Sequence, residues 1–155
     1  MRGDVMLSAE IREADLYDIP ALVELLGELF AQERDFMPDR DKQARGLALI
    51  INHPERGRIF TARLNETVIG MANALFTVST VEGGPVILLE DVMVAGPYRG
   101  QGIGRQLFDH VLHWARANGF LRVTLLTDGD NAGALRFYER HGFVRSQMTV
   151  LRRAM

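Results

Sequence analysis

The 155-residue sequence contains no cysteine. Disulfide bridges, thiolate metal sites, iron–sulfur clusters and covalent cysteine intermediates are therefore excluded. Any group transfer must use another nucleophilic side chain, or none, with one substrate attacking the other directly.

Long hydrophobic runs are also absent. Residues 1–11 lack an apolar stretch of signal-peptide length, and no segment approaches the roughly 18 apolar residues of a membrane-spanning helix. The sequence therefore predicts a cytoplasmic protein with no membrane partner.

Neither sign of charge dominates the chain. Eighteen Lys and Arg residues against 20 Asp and Glu residues give a formal net charge of -2. The arginines are spread along the sequence, so no nucleic-acid partner is predicted. The four histidines have no metal-ligand spacing, and Asp128, Asp130 and Asn131 lack the distal glutamate of a calcium loop. No metal site is predicted.

What the chain does contain is enough apolar residues, 47%, for one globular domain spanning residues 1–155. Apolar periodicity and turn residues divide it into short elements. Predicted strands span 9–14, 58–64, 68–81, 86–94, 122–127 and 144–152. Predicted helices span 18–30, with Asp18 as its N-cap, and 42–52, 102–118 and 131–141. This order predicts an α/β (α+β) fold, a mixed sheet with helices on both faces.

A glycine-rich segment follows the apolar strand 86–94 and opens an amphipathic helix. Glycine has no Cβ atom, so the backbone N–H groups of such a segment can turn toward one point at a helix N-terminus and form a pyrophosphate site. The segment lacks the Gly-Lys-Ser/Thr of a Walker loop, and a dinucleotide fingerprint would need glycine at Arg105. The alternative is an ordinary strand-to-helix turn. The residues concerned are Arg99, Gly100, Gln101, Gly102, Ile103, Gly104 and Arg105.

The last predicted helix carries a second group of residues. Asn131 and Tyr138 are seven positions apart and share a helical face with Phe137 nearby. The Tyr138 hydroxyl is placed to donate a proton to a leaving group. The alternative is a core tyrosine whose hydroxyl bonds to a carbonyl group.

Together these motifs resemble those of the GNAT superfamily of N-acetyltransferases. Residues 99–104 fit the family pattern R/Q-x-x-G-x-G/A, and residues 131–143 are similar to its second motif. The resemblance covers essentially the whole chain. It implies a mostly antiparallel sheet with splayed central strands and acetyl-CoA as the acyl donor. Pantetheine would bond to Val92, Met93, Val94 and Asn131, and pyrophosphate to residues 101–104.

The resemblance also implies roles in catalysis. Tyr138 would protonate the departing thiolate, and the amine would attack the thioester directly in a ternary complex. At neutral pH most of an amine with a pKa near 10 is protonated, so a base is useful. Glu90 is the first candidate, Asp91 follows closely, and a water molecule is a third possibility. Either carboxylate has a purely structural alternative.

The acceptor amine is left open by the sequence. In this family the acceptor pocket is built from the loop between the first two helices and from the last strands, here residues 31–41, 77–84 and 145–149. The loop acids Glu33, Asp35, Asp39 and Asp41 suit a cationic small molecule or peptide. A solvated loop is the alternative. A non-catalytic acetyl-CoA sensor and an interaction domain without a ligand are the alternative functions. The apolar residues 148–151 are compatible with a homodimer.

Overall fold

The computed structural model describes residues 6–32 and 37–155. The chain forms two compact units, one ending at Leu125 and the other running from Leu126 to Met155. Among the described residues, the first unit contains five strands and three α-helices, and the second contains one α-helix. The elements are β1 (Glu10–Glu13), α1 (Ile19–Gln32), α2 (Arg40–Ile51), β2 (Gly57–Leu64), β3 (Thr67–Ser79), β4 (Gly84–Val94), α3 (Ile103–Ala117), β5 (Val123–Leu125) and α4 (Ala132–Arg140).

The five strands form one sheet in the order β1-β2-β3-β4-β5. The first four pair antiparallel and β5 pairs parallel with β4. Asn65, at the β2–β3 turn, has a positive φ of 54°, a conformation that asparagine adopts more readily than most residues. The prediction of a mixed, mostly antiparallel sheet is confirmed.

Helices cover both faces of this sheet. Adjacent residues of a strand point to opposite faces, and on β2 Ile59 packs with the cluster of α1 and α2 that includes Leu22 and Leu47. Its neighbour Phe60 contacts the ring of Trp114 on α3, with 5.3 Å between ring centroids. The predicted helix packing is therefore confirmed.

The entry to α1 differs from the predicted one. A 3₁₀ turn at Leu16–Asp18 precedes the helix, and Asp15 is its N-cap. Asp18 is 8% exposed and its Oδ2 atom lies 2.6 Å from the Arg63 guanidinium of β2. The prediction that Asp18 is the N-cap is wrong, because its carboxylate binds a buried cation on the adjacent sheet and Asp15 caps the turn instead.

The predicted final strand over residues 144–152 is also wrong. The structure assigns these residues no strand, and Met148 and Leu151 are each 90% exposed. A strand is defined by a ladder to a neighbour, and the sheet's described ladders end with β5. The apolar residues near its end, such as Val150 and Leu151, made this segment resemble a strand, but they supply no pairing partner.

Candidate functional site

Strand β4 carries a bulge at the position of the predicted base. Asn73 pairs with Glu90 and Met71 pairs with Met93, so that Asp91 and Val92 together lie opposite one residue of β3. Asp91 adopts a positive φ of 50° there. A bulge interrupts the alternation of side chains along a strand. Glu90 and Asp91 therefore do not lie on a regular strand.

The bulge brings Asp91 to a buried amide. Asn73 Nδ2 donates to Asp91 Oδ2 over 3.3 Å, and Asn73 is only 4% exposed. Burial raises the pKa of Asp91 above its ordinary value, and the bond from Asn73 opposes the rise. A carboxylate with a raised pKa accepts protons near neutral pH more readily than an ordinary aspartate does.

The second half of β4 extends beyond its parallel partner. The β4–β5 ladder ends at the pair Leu89–Leu125, while β4 continues for another five residues to Val94. Among the described residues, no strand pairs with the last five residues of β4 on the β5 side. On this stretch Met93 is buried against α1, whereas Val92 and Val94 are partly exposed.

The glycine loop connects this stretch to α3. Gly100 and Gly102 adopt positive φ values of 73° and 83°, and Gly102 is the N-cap of α3. The first N–H groups of a helix have no intrahelical acceptor and lie at the positive end of its dipole. The predicted loop therefore has the backbone geometry of an anion site.

The cationic side chains of the loop are differently engaged. Arg99 donates through Nε to the Val94 carbonyl over 2.8 Å and through its second amino group to Glu28 over 3.0 Å. The Gly96 N–H also donates to Glu28. Arg99 thus holds the loop against α1. Arg105 is more exposed and lies 3.7 Å from Asp109.

Sequence reasoning missed Gln106, which anchors the N-terminal segment beside this loop. Its Oε1 accepts from the Ala9 N–H over 2.9 Å, and its Nε2 donates to the Leu7 carbonyl. Met6 lies against Gly102, where a Cβ atom would meet the thioether at 2.6 Å. A glutamine within the first turn of a predicted helix was the available signal.

The second unit contains the remaining predicted site residues. Asn131 caps α4, its Oδ1 accepting from the Ala134 N–H over 3.2 Å, as predicted. Phe137 and Tyr138 are partly buried and contact each other edge to face, with 5.7 Å between centroids. Tyr138 also contacts the ring of Phe143. Aromatic packing therefore orients Tyr138 within this unit.

A cavity of about 770 Å³ lies in the first unit beside the end of β4. Glu24 and Arg40 form an ion pair of 2.5 Å at this cavity. Gln43 also lines it and is 8% exposed, and neither polar atom of its amide has a hydrogen-bond partner among the described residues. A polar residue one turn before the core residue Leu47 was the signal for Gln43. The lining residues are Ala21, Val23, Glu24, Leu25, Gly27, Glu28, Pro38, Arg40, Gln43, Val68 and Ala95.

Residues 6–32 and 37–155 contain neither a metal-binding cluster nor a membrane-spanning helix. Within those ranges, no three His, Cys, Asp or Glu side chains converge on a common point suitable for a metal ion. None of the helices there combines the length and apolar character that crossing a bilayer requires. Of the predicted acceptor-loop acids, Glu33 and Asp35 lie outside the described residues.

Comparison with known proteins identifies relatives of this chain. Residues 19–143 match the model of the acetyltransferase (GNAT) family. Aminoalkylphosphonate N-acetyltransferase of Salmonella typhimurium is 30% identical over 145 residues, which cover 94% of this chain and 91% of that protein. A possible acetyltransferase from Clostridium difficile 630 has the same fold, with a TM-score of 0.85, 18% identity and coverage of 95% and 97%.

Other relatives match over a shorter stretch. Yeast N-alpha-acetyltransferase 40 is 41% identical over 88 residues, and streptothricin acetyltransferase A of Bacillus subtilis is 39% identical over 57 residues. The match to the yeast protein covers 52% of this chain and 30% of that protein. The match to the streptothricin acetyltransferase covers 37% of this chain and 33% of that protein. The family model covers most of the chain and reaches into both units. The chain belongs to the GNAT family of acetyltransferases.

Proposed function

We propose that the protein transfers an acetyl group from acetyl-CoA to a primary amine by direct attack in a ternary complex. One observation carries the proposal: α3 begins at two glycines with positive φ, directly after a strand whose ladder to β5 has already ended. The α3 N-terminus offers N–H donors to a pyrophosphate, and the open edge of β4 offers backbone groups to pantetheine. Residues 99–105 would hold the first and residues 92–94 the second.

The two units would act together as one domain over residues 1–155. Support comes from the family match, which includes residues of both. In this proposal Asn131 bonds to the pantetheine arm, Phe137 lines its path, and the Tyr138 hydroxyl protonates the thiolate that leaves. Acetyl-CoA, when bound, supplies the activated thioester.

Asp91 is the residue we propose as the proton acceptor. The bulge, the bond from Asn73 and the raised pKa support Asp91 over Glu90. The carboxylate would take one proton from the acceptor ammonium, R–NH3⁺, leaving a neutral amine whose nitrogen lone pair attacks the thioester carbon. Glu90, the first candidate from sequence, is the alternative base. The activities of Asp91→Asn and Glu90→Gln distinguish the two carboxylates.

The cavity beside the end of β4 is the proposed acceptor site. Its volume of about 770 Å³ is of the size that binds small molecules. The Glu24–Arg40 ion pair puts one charge of each sign at the cavity, where Glu24 would attract an ammonium group and Arg40 an anionic group. The similarity to an aminoalkylphosphonate acetyltransferase supports an acceptor that carries both charges.

Acetyl-CoA at about 100 times its dissociation constant should stabilise the protein by roughly 2.7 kcal/mol, or several degrees in Tm. Gly104→Asp should abolish this shift, because a carboxylate in the first turn of α3 repels the pyrophosphate. The variant should still fold, because an acid there interacts favourably with the helix dipole. Thermal unfolding with and without acetyl-CoA measures both effects.

Gly104→Asn is the matched control, since it adds nearly the same volume without the charge. It should retain more of the shift than Gly104→Asp. No shift in the wild-type protein would contradict acetyl-CoA binding. A shift without transfer to any member of a broad amine panel would favour the non-catalytic sensor instead.

Tyr138→Phe should lower kcat for acetyl transfer while leaving the acetyl-CoA thermal shift intact, because it removes the proton donor but keeps the ring. The expected loss is about 10²-fold or more. Tyr17→Phe, which removes the same hydroxyl from a side chain 94% exposed, is the control. Equal turnover in the two variants would exclude Tyr138 as the acid.

Two predictions from the sequence complete the proposal. The protein would act in the cytoplasm, and a homodimer would cover the apolar residues 148–151, of which Met148 and Leu151 are exposed. Sedimentation of the purified protein tests the second of these.

A further inference from the structure

Asn73 is a polar residue in the middle of an apolar strand. It lies among the buried residues Met71, Ala72 and Ala74 of β3 and is itself 4% exposed. A buried amide is unfavourable in such surroundings unless both of its ends are bonded. Only one is: Nδ2 bonds to Asp91, while Oδ1 has no hydrogen-bond partner in the described part of the chain. Packing alone does not account for an asparagine here.

The contact between Asn73 and Asp91 depends on the bulge in β4. Glu90 is the register partner of Asn73, so a regular strand would direct Asp91 to the opposite face of the sheet. The extra residue and the positive φ of Asp91 instead bring its carboxylate within 3.3 Å of the amide. A positive φ is uncommon outside glycine, and such backbone conformations concentrate at functional sites.

We propose that Asn73 is the positioning residue for Asp91 and bonds to both protonation states of its carboxyl group. This inference rests on the proposed function. When Asp91 is ionised, Asn73 Nδ2 donates to it. When Asp91 has taken the proton of the acceptor ammonium, the amide turns by half a rotation and Oδ1 accepts from the new O–H group. An amide has a donor end and an acceptor end of nearly equal shape, which makes both arrangements available.

In the observed orientation Asn73 Nδ2 bonds to Asp91, and Oδ1 has no hydrogen-bond partner within residues 6–32 and 37–155. The turn of the amide therefore breaks no hydrogen bond of Oδ1. A return of the proton from Asp91 to solvent restores the first state. The asparagine thereby holds the carboxyl group in place throughout the proton transfer.

Three charged groups on or beside the elements that contact β4 form ion pairs with other residues. Glu28 of α1 binds Arg99, Arg105 of α3 lies against Asp109, and Arg122 before β5 lies against Glu82; these pairs are separated by 3.0, 3.7 and 3.8 Å. Strand β3 has no charged residue, and Glu90 is adjacent to Asp91 on β4 itself. The causes that shift the pKa of Asp91 are burial and the Asn73 bond.

The proposal is tested by following Asp91 directly, without an acceptor. Protein labelled with ¹³C at aspartate Cγ is titrated by NMR over roughly pH 3 to 9, a range that spans ordinary and raised carboxyl pKa values. The Asp91 signal is identified by its loss in Asp91→Asn. In Asn73→Ala the Asp91 midpoint should move to higher pH, because the charge-assisted bond that the ionised form loses is stronger than the neutral bond that the protonated form loses. In Asn73→Ser, which keeps a hydroxyl, the shift should be smaller.

Ser79→Ala is the matched control, a buried polar deletion on the same strand whose hydroxyl accepts from the Glu82 N–H instead. It should leave the Asp91 midpoint unchanged. Coincident midpoints in the wild type and Asn73→Ala would overturn the proposal, and Asn73→Ser decides it by the same criterion if the alanine variant does not fold. Failure of acetyl-CoA to stabilise the wild type would contradict the proposed function but would not alter the titration.

Discussion

Asp91→Asn should lower kcat/KM for acetyl transfer by about 10²- to 10⁴-fold, the usual contribution of a positioned general base. Asparagine keeps the size of the side chain but cannot accept the proton of the acceptor ammonium. In the wild type the acid limb of the pH profile should lie above that of an ordinary aspartate, because burial raises the pKa of Asp91. The chain has no cysteine, so a thiol reagent measures released coenzyme A without a protein background.

The comparison with Glu90→Gln decides between the two carboxylates. We expect Glu90→Gln to retain more activity than Asp91→Asn. Glu66→Gln, on the exposed turn between β2 and β3, is the control for the loss of a carboxylate. A severe loss in Glu90→Gln with near-normal activity in Asp91→Asn would assign the base to Glu90.

Asp18→Asn should destabilise the fold by about 3–5 kcal/mol, the usual cost of leaving one partner of a buried ion pair uncompensated. Its Arg63 partner would then remain a buried charge, with a side chain only 4% exposed. For a domain of this size the loss corresponds to a decrease in Tm of roughly 6–20 °C. Thermal or urea unfolding at neutral pH measures it.

The same ion pair predicts a pH dependence of stability. Burial by itself would raise the pKa of Asp18, but the hydrogen bonds from Arg63 and the Asp15 backbone, and the Arg63 charge, outweigh burial and lower it. A carboxyl whose pKa is lowered by folding stabilises the protein above its unfolded pKa, and this contribution is lost as pH falls through the folded pKa. The difference between wild type and Asp18→Asn should therefore shrink below about pH 4.

Asp109→Asn is the control for both measurements. Its ion pair with Arg105 is exposed, with side-chain exposures of 61% and 69%. Exposed pairs contribute about 0–1 kcal/mol. If Asp18→Asn destabilised the protein no more than Asp109→Asn does, the buried pair would not be a major stabilising contact.

The helices were predictable because their patterns are local. Leu22 and Leu26, and Leu107 and Val111, recur at four-residue spacing, and all four residues are buried in the structure. The loop at residues 99–104 was predictable for a similar reason, since glycine is the residue that adopts positive φ without strain. Its position after an apolar strand and before an amphipathic helix completed the signal.

The last strand was not predictable from local pattern. Residues 144–152 contain the apolar residues Val144, Met148, Val150 and Leu151, yet a strand also requires a partner with unpaired backbone groups. Which edge of a sheet is available depends on segments far away in sequence. The apolar residues of this segment indicate which side chains it could bury, but they carry no information on which strand its backbone would pair with.

The sequence by itself determined the family, the order of most elements and the glycine loop, because each depends on residue types within a few positions of one another. Only the tertiary structure decided that Asp91 bonds to Asn73, 18 residues away, and that Asp18 pairs with Arg63. Both contacts join separate elements through sheet register and burial. A one-residue bulge changes which side chains meet, and no local pattern of residues encodes that choice.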